Sequence, residues 1–294
     1  MGRGGNVKAT DKKIDTRHGR IRVSDTEGAG LPLLFLHGAG TCRKVFERQC
    51  RPHLLERTRI IALDLPGHGD SDDAEDPEIA YSLPGMIDTI DEVLVTLGVR
   101  QLAIFGWGLG GHLAIEMLGR SRLVEGVLLS GTPPVSRGLI GALRGFHPSV
   151  DLLFATKQHW SEREFKRFEQ LCLGQSATPD IRNAIARADG QLRSIFSQSI
   201  IRGDGHDQRR TVLHAEVPVF LVNGADDPFI RRGYVAGFED HARNRFVELI
   251  EGAGHAAFRE KPEPFNGLLD RFIDKVLENR SDKTPRVAAS RQAG

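Results

Sequence analysis

The chain has 294 residues, of which 40 are basic and 39 acidic, and a formal net charge of +1. With 39% hydrophobic and 27% charged residues it has the make-up of an ordinary globular chain, long enough for one large domain. So even a balance gives no reason to expect nucleic acid or an anionic membrane as partner, and three cysteines (Cys42, Cys50, Cys172) without a CxxC offer neither a disulfide framework nor a zinc ligand set.

Taken in chain order, residues 1–14 are polar and aperiodic and read as a frayed tail. The stretch HGRIRVSDTEG that follows alternates and turns as an antiparallel edge hairpin does. Short apolar runs at 33–37, 59–65, 101–106, 124–131, 217–224 and 245–252 read as buried strands. Helical spacing separates several of them. Leu83, Met86, Ile87, Ile90, Val93, Leu94 and Leu97 recur every three or four residues until Gly98 stops the pattern, and LGGHLAIEMLG (109–119) follows its strand directly. Residues 261–278 give a last amphipathic helix opened by prolines, and 280–294 read as a second tail.

Strands alternating with helices predict an α/β fold, a mainly parallel sheet with helices on both faces. The alternation breaks over 135–212, which is helical in pattern, rich in charge and too long for a loop. We read it as a helical cap inserted into a core of 15–134 and 213–279. No apolar run approaches the ~18 residues of a membrane span. MGRGGNVKATDKK lacks the apolar stretch of a signal peptide, and the expected compartment is the cytoplasm.

The chemistry concentrates in five places. Gly106-Trp107-Gly108-Leu109-Gly110 has the form of a nucleophile elbow, a strand that turns straight into a helix with the reactive residue at its tip, and the tip residue is Gly108. As a phosphate cradle it does not fit G-x-G-x-x-G with an acidic residue about 20 positions on. Leu36-His37-Gly38-Ala39-Gly40 follows an early strand, so the N–H groups of Ala39 and Leu109 are candidates to converge on an oxyanion. DLPGHGDS (64–71) closes the next strand. NGADDP (223–228) places an acid, Asp227 or Asp226, at a strand's carboxyl end, and GAGH (252–255) places His255 in a loop after another. Nucleophile, acid, histidine is the chain order of one known hydrolase triad. HxHxDH and HExxH are both missing, so no metal is expected, and no cofactor.

Together these motifs resemble the α/β-hydrolase fold family over nearly all of 16–278. More narrowly, HGRI, DLPGHGDS, FGWxLGGHxxIEM, GTPPV and NGxDxPF are similar to the metal-independent α/β-hydrolase type of N-acyl homoserine lactonase, a quorum-quenching enzyme that opens a lactone ring. The chain departs from that family at Gly108, where the family has its serine, and at Ala39, where an asparagine would match better. The resemblance implies that His255 is the general base and that Asp227 orients it, with Asp226 as second choice. It also implies a small-molecule lactone or ester as substrate. His37, Gly38, Trp107 and the cap residues Phe146, Trp160 and Phe168 are candidates to line the pocket, and each is equally a packing residue.

Glycine has no side chain with which to attack a carbonyl. Three readings stay open: a serine replaced so that substrate binds without turnover, a native ligand-binding pseudoenzyme, or a native enzyme (a cofactor-free lyase or oxygenase among them) in which His255 and Asp227 act directly. Hydrolysis of other esters or lactones fits the same scaffold. Oligomeric state is not legible at this level.

Overall fold

The computed structural model describes residues 9–283. β1 (Thr10–Thr16) and β2 (Gly19–Asp25) form an antiparallel hairpin at one edge, with Thr16 paired to Gly19 across the turn, so the stretch 18–28 expected to make a hairpin supplies only its second strand. The expected tail over 1–14 is therefore corrected, because residues 10–14 are strand. Only Ile14 among the seven residues of β1 is buried, paired with Ile21, so the strand owes its order to the ladder beside it rather than to an apolar run of its own. Residues 1–8 lie outside the described residues.

The remaining strands are β3 (Leu31–Leu36), β4 (Thr58–Leu63), β5 (Leu102–Trp107), β6 (Val124–Ser130), β7 (Val219–Gly224) and β8 (Arg245–Ile250). The eight strands make one sheet in the order β1-β2-β4-β3-β5-β6-β7-β8, parallel from β4 to β8. β5, β6 and β7 are buried at every position. That is why they read as unbroken apolar runs: both faces of a parallel sheet are covered.

Two short helices, α1 (Pro52–Leu55) and α2 (Pro77–Ala80), precede α3 (Leu83–Thr96). Ser82 caps α3 by accepting the Gly85 N–H at 3.2 Å. α4 (Leu109–Arg120) follows β5 after a single residue, Gly108. Between β6 and β7 lie α5 (Gly138–Leu143), α6 (Glu162–Leu173), α7 (Pro179–Arg187), α8 (Gln191–Arg202) and α9 (Gln208–Leu213), with 3-10 turns at Val150–Ala155 and Gly174–Ser176. After β7 come α10 (Arg232–Ala236), α11 (Ala257–Glu260) and α12 (Pro262–Lys283). The expected tail from 280 is also corrected: 280–283 continue α12, and 284–294 lie outside the described residues.

Under the carboxyl ends of β3 and β5, the rings of Phe35, Phe46, Phe105, Phe258 and Phe265 pack with centroids 4.9–5.8 Å apart. This aromatic layer is the floor on which the loops above are set. No described helix is long and apolar enough to cross a membrane.

Candidate active site

The loops after β3, β5, β6, β7 and β8 meet at one end of the sheet. At their centre is Gly108, with φ +54° and ψ −117°, a backbone conformation that strains any residue bearing a Cβ. A Cβ built there has ordinary contacts only, with Gly38 Cα at 3.6 Å and His255 Nε2 at 3.7 Å. The site therefore has room for a side chain aimed at the imidazole.

His255 is oriented from its other nitrogen. Its Nδ1 lies 2.9 Å from Asp227 Oδ2, and the Asp227 side chain is almost wholly buried. The other carboxylate oxygen of Asp227 accepts the N–H groups of Phe229 at 2.8 Å and Ile230 at 3.3 Å. That leaves Oδ2 free for the ring. Asp226 is exposed, and of the two neighbouring acids it is Asp227 whose carboxylate meets His255. The imidazole is enclosed by Phe229, 5.0 Å away between centroids, by Trp107 at 5.5 Å, and by Gly131. A Cβ at Gly131 would stand 2.6 Å from His255 Cε1, so only glycine allows the ring to lie there.

Trp107 is 2% exposed, and its indole N–H donates to His255 O at 3.0 Å. It ties the histidine loop to β5 and carries Gly38 flat against its ring. Of the two places left open for it, pocket wall or packing residue, its burial fits the second.

The loop facing Gly108 is held by two buried histidines. His37 accepts the Leu65 N–H at Nε2 (3.0 Å) and donates from Nδ1 to Gly38 O (2.9 Å). His68 accepts the Gly40 N–H at Nε2 (3.0 Å) and donates from Nδ1 to Pro66 O (3.0 Å). Burial pushes both below the ordinary histidine range, His68 the further, with the neighbouring His37 adding to its fall. Both rings are thus neutral hydrogen-bond fixtures, and neither has a face on the site. Asp64 completes the clamp, accepting the Arg43 N–H at 2.7 Å, the Asp70 N–H at 2.8 Å and the Arg43 guanidinium. The N–H groups of Ala39 and Leu109 find no acceptor among the described residues, Leu109 being the first residue of α4, and both are open donors.

Phe168 and Trp160 stack at 4.3 Å, both near Gly40: Phe168 lies 3.5 Å and Trp160 3.9 Å from where a Cβ on that glycine would be. The buried Arg193 guanidinium lies over the Trp160 ring, 3.7 Å from its centroid. It is fixed by the carbonyls of Lys157 and Gln158, and burial brings its pKa down to about 10. Phe146 is set apart from this pair, bridged to Ile230 and 6.5 Å from the His112 ring. His112 bonds Gln208 Oε1 at 2.8 Å, and burial lowers it to about 4. Gly131 and Thr132 lie in the GTPPV motif and Phe229 closes NGxDxPF, but the sequence assigned no site role to them or to Arg193. Thr132 Oγ1 donates to Gly108 O at 3.0 Å. Cys172 is buried near Asp227. Burial, and then that carboxylate, push its thiol far up, which leaves it inert as a nucleophile. Among the described residues no group of three or more His, Cys, Asp or Glu is placed to hold a metal.

A model of the alpha/beta hydrolase family matches residues 33–268. The chain belongs to the alpha/beta hydrolase family. Among solved structures, a serine-to-glycine mutant of the N-acyl homoserine lactonase AidH, complexed with N-hexanoyl homoserine lactone, is 36% identical with a TM-score of 0.85. That match covers 92% of this chain and 99% of the other. The same lactonase complexed with N-butanoyl homoserine matches with a TM-score of 0.84 over 91% and 97%. A pimeloyl-[acyl-carrier protein] methyl ester esterase from Neisseria meningitidis is 26% identical over 265 residues, 85% of this chain and 78% of its own. An esterase and a lactonase are thus among the proteins this hydrolase-family chain is similar to.

Proposed function

We propose that this chain binds N-acyl homoserine lactones at the site around Gly108, and that with a serine at that position it opens their lactone ring. The observation that carries the proposal is the Cβ position of residue 108, unobstructed and 3.7 Å from His255 Nε2. One bond further on, a serine Oγ comes within hydrogen-bond reach of the imidazole. Support also comes from the 36% identity to AidH, whose glycine mutant holds a lactone.

In the serine form, His255 takes the Oγ proton as Oγ attacks the lactone carbonyl, and Asp227 stabilises the imidazolium. The N–H groups of Ala39 and Leu109 receive the developing oxyanion. Collapse breaks the ring C–O bond, and His255 returns its proton to the departing alkoxide. Water, deprotonated by His255, then cleaves the acyl-enzyme to give the ring-opened acid and free serine. Trp160 and Phe168 offer apolar surface to an acyl chain. With Gly108 no acyl-enzyme forms, and turnover falls by ~10⁶.

A second reading, hydrolysis of other carboxylic esters, is favoured by the esterase relative and by the chemistry, since a lactone is a cyclic ester. One experiment separates the readings. The chain and its Gly108→Ser variant are assayed by proton release on short- and long-chain N-acyl homoserine lactones and on p-nitrophenyl esters. Lactone opening by the serine variant alone is the expected result. Activity on simple esters only would move the assignment to the second reading. Equal activity in both forms would transfer the chemistry to water activated by His255, and no activity or lactone binding in either would remove the proposal.

A further inference from the structure

Among the described residues nine large hydrophobic side chains are exposed, and six of them belong to one part of the molecule: Leu139, Ile140 and Leu143 of α5, Val150 and Leu153 of the following 3-10 turn, and Ile201 at the end of α8. α5 and the turn both pack on α8, so these side chains rise from neighbouring segments. Arginines flank them, Arg137 before α5 and Arg144 after it. Beside Arg144 a surface cleft of about 490 Å³ is lined by Arg144, His147, Arg231, Arg232 and Tyr234. The backbone holds this cleft together: Arg231 N–H donates to Gly145 O at 2.9 Å and His147 N–H to Phe229 O at 2.7 Å. Neither Arg144 nor Arg231 has a carboxylate partner among the described residues, and Arg232 reaches only the exposed Glu251, at 3.4 Å. The acids nearby are themselves engaged: Asp151 is held by Arg167 at 2.9 Å, Asp204 by Arg202 at 3.5 Å, and Asp207 accepts the Arg137 N–H at 3.5 Å.

We propose that this face of the protein docks on an anionic lipid surface, with the aliphatic side chains entering the acyl boundary and the arginines taking headgroup phosphates. Exposed aliphatic residues on short segments, with Arg144 and Arg231 beside them free of carboxylate partners among the described residues, fit a bilayer interface. A protein-binding patch favours buried aromatic anchors instead. The proposal departs from the expectation drawn from net charge, because that balance averages over the whole chain and the cations here are local. The face is one backbone strip from the candidate site: Phe229 packs on His255, and Arg231, two residues on, lines the cleft. If the lactone reading holds, such docking would keep the site where acyl-chain amphiphiles collect. Docking itself needs no turnover, so the two can fail separately.

The test is co-sedimentation of the full chain with vesicles of phosphatidylcholine alone, or with about one-third phosphatidylglycerol. Expected is binding to the anionic vesicles only, released as salt rises, with vesicle-induced amide-exchange protection over 138–153. Ile140→Ser with Leu143→Ser, and separately Arg144→Glu with Arg231→Glu, should each weaken it about tenfold or more. Val95→Ser, on the exposed face of α3, should leave binding unchanged. Circular dichroism reports whether each variant is folded, and the exchange measurement on the unaltered chain decides the matter if one is not. No binding, equal binding to neutral vesicles, protection elsewhere, or capture of polyglutamate in place of vesicles would overturn the proposal.

Discussion

At residue 108 stability and chemistry pull in opposite directions. A side chain at φ +54° costs about 1–3 kcal/mol of strain that glycine avoids. Gly108→Ser should therefore lower folded stability by about that amount, read from urea unfolding midpoints, while it supplies the missing hydroxyl. An unchanged midpoint would mean that the elbow relaxes. The two neighbouring aspartates make a paired test in the Gly108→Ser background. Asp227→Asn should cut kcat by ~10⁴, because the amide cannot hold the imidazole in the required tautomer. Asp226→Asn, on an exposed side chain without contact to His255, should leave kcat nearly intact. Equal losses would place the acid elsewhere.

At the scale of elements, the loop after β3 is joined to the loop after β4 by two neutral histidines, which gives the fold a direction of pH sensitivity. In the unfolded chain His37 and His68 take up protons near pH 6.5, whereas burial holds both folded values lower. Below about pH 6.5 the unfolded state then binds more protons than the folded one, so stability falls as pH falls. Above that value the contribution is fully present. Urea midpoints measured from pH 8 down to pH 5 should show the decline. His68→Gln, whose side-chain oxygen still accepts the Gly40 N–H, should make it shallower. A slope unchanged by that substitution would assign the acid sensitivity to other groups.

Across the whole molecule, Arg259 links three regions distant in sequence. It is fully buried and donates to Val45 O at 2.7 Å, to Ser176 O at 3.1 Å and to Glu47 at 3.0 Å. One guanidinium thus joins the segment after the β3 loop, the turn that ends α6, and the helix that follows His255. Arg259→Met keeps the volume and leaves those carbonyls without donors, at a cost of about 3 kcal/mol. The expected measurements are a lowered urea midpoint and faster amide exchange over 174–176, with Arg259→Lys intermediate. A midpoint within error of the parent would show the carbonyls to be satisfied by water.

How much of this was written in the sequence depends on the range of the force involved. The central strands, α3 and α4 follow from periodicity and from Gly98 as a stop, since burial of a repeating pattern is a local property. The elbow, the acid loop and the histidine loop were legible because turn chemistry is also local. β1 was not, because its single buried residue counts only once β2 lies beside it. Nor was the place of Trp107 beneath the site, the preference of His255 for Asp227 over Asp226, or the need for glycine at 131. Each of those depends on which atoms arrive within 3 Å from residues many positions away. The sequence by itself determined the fold class and the order of the reactive loops. Only the tertiary structure decided which side chains meet, because contact distances are set by packing and not by spacing along the chain.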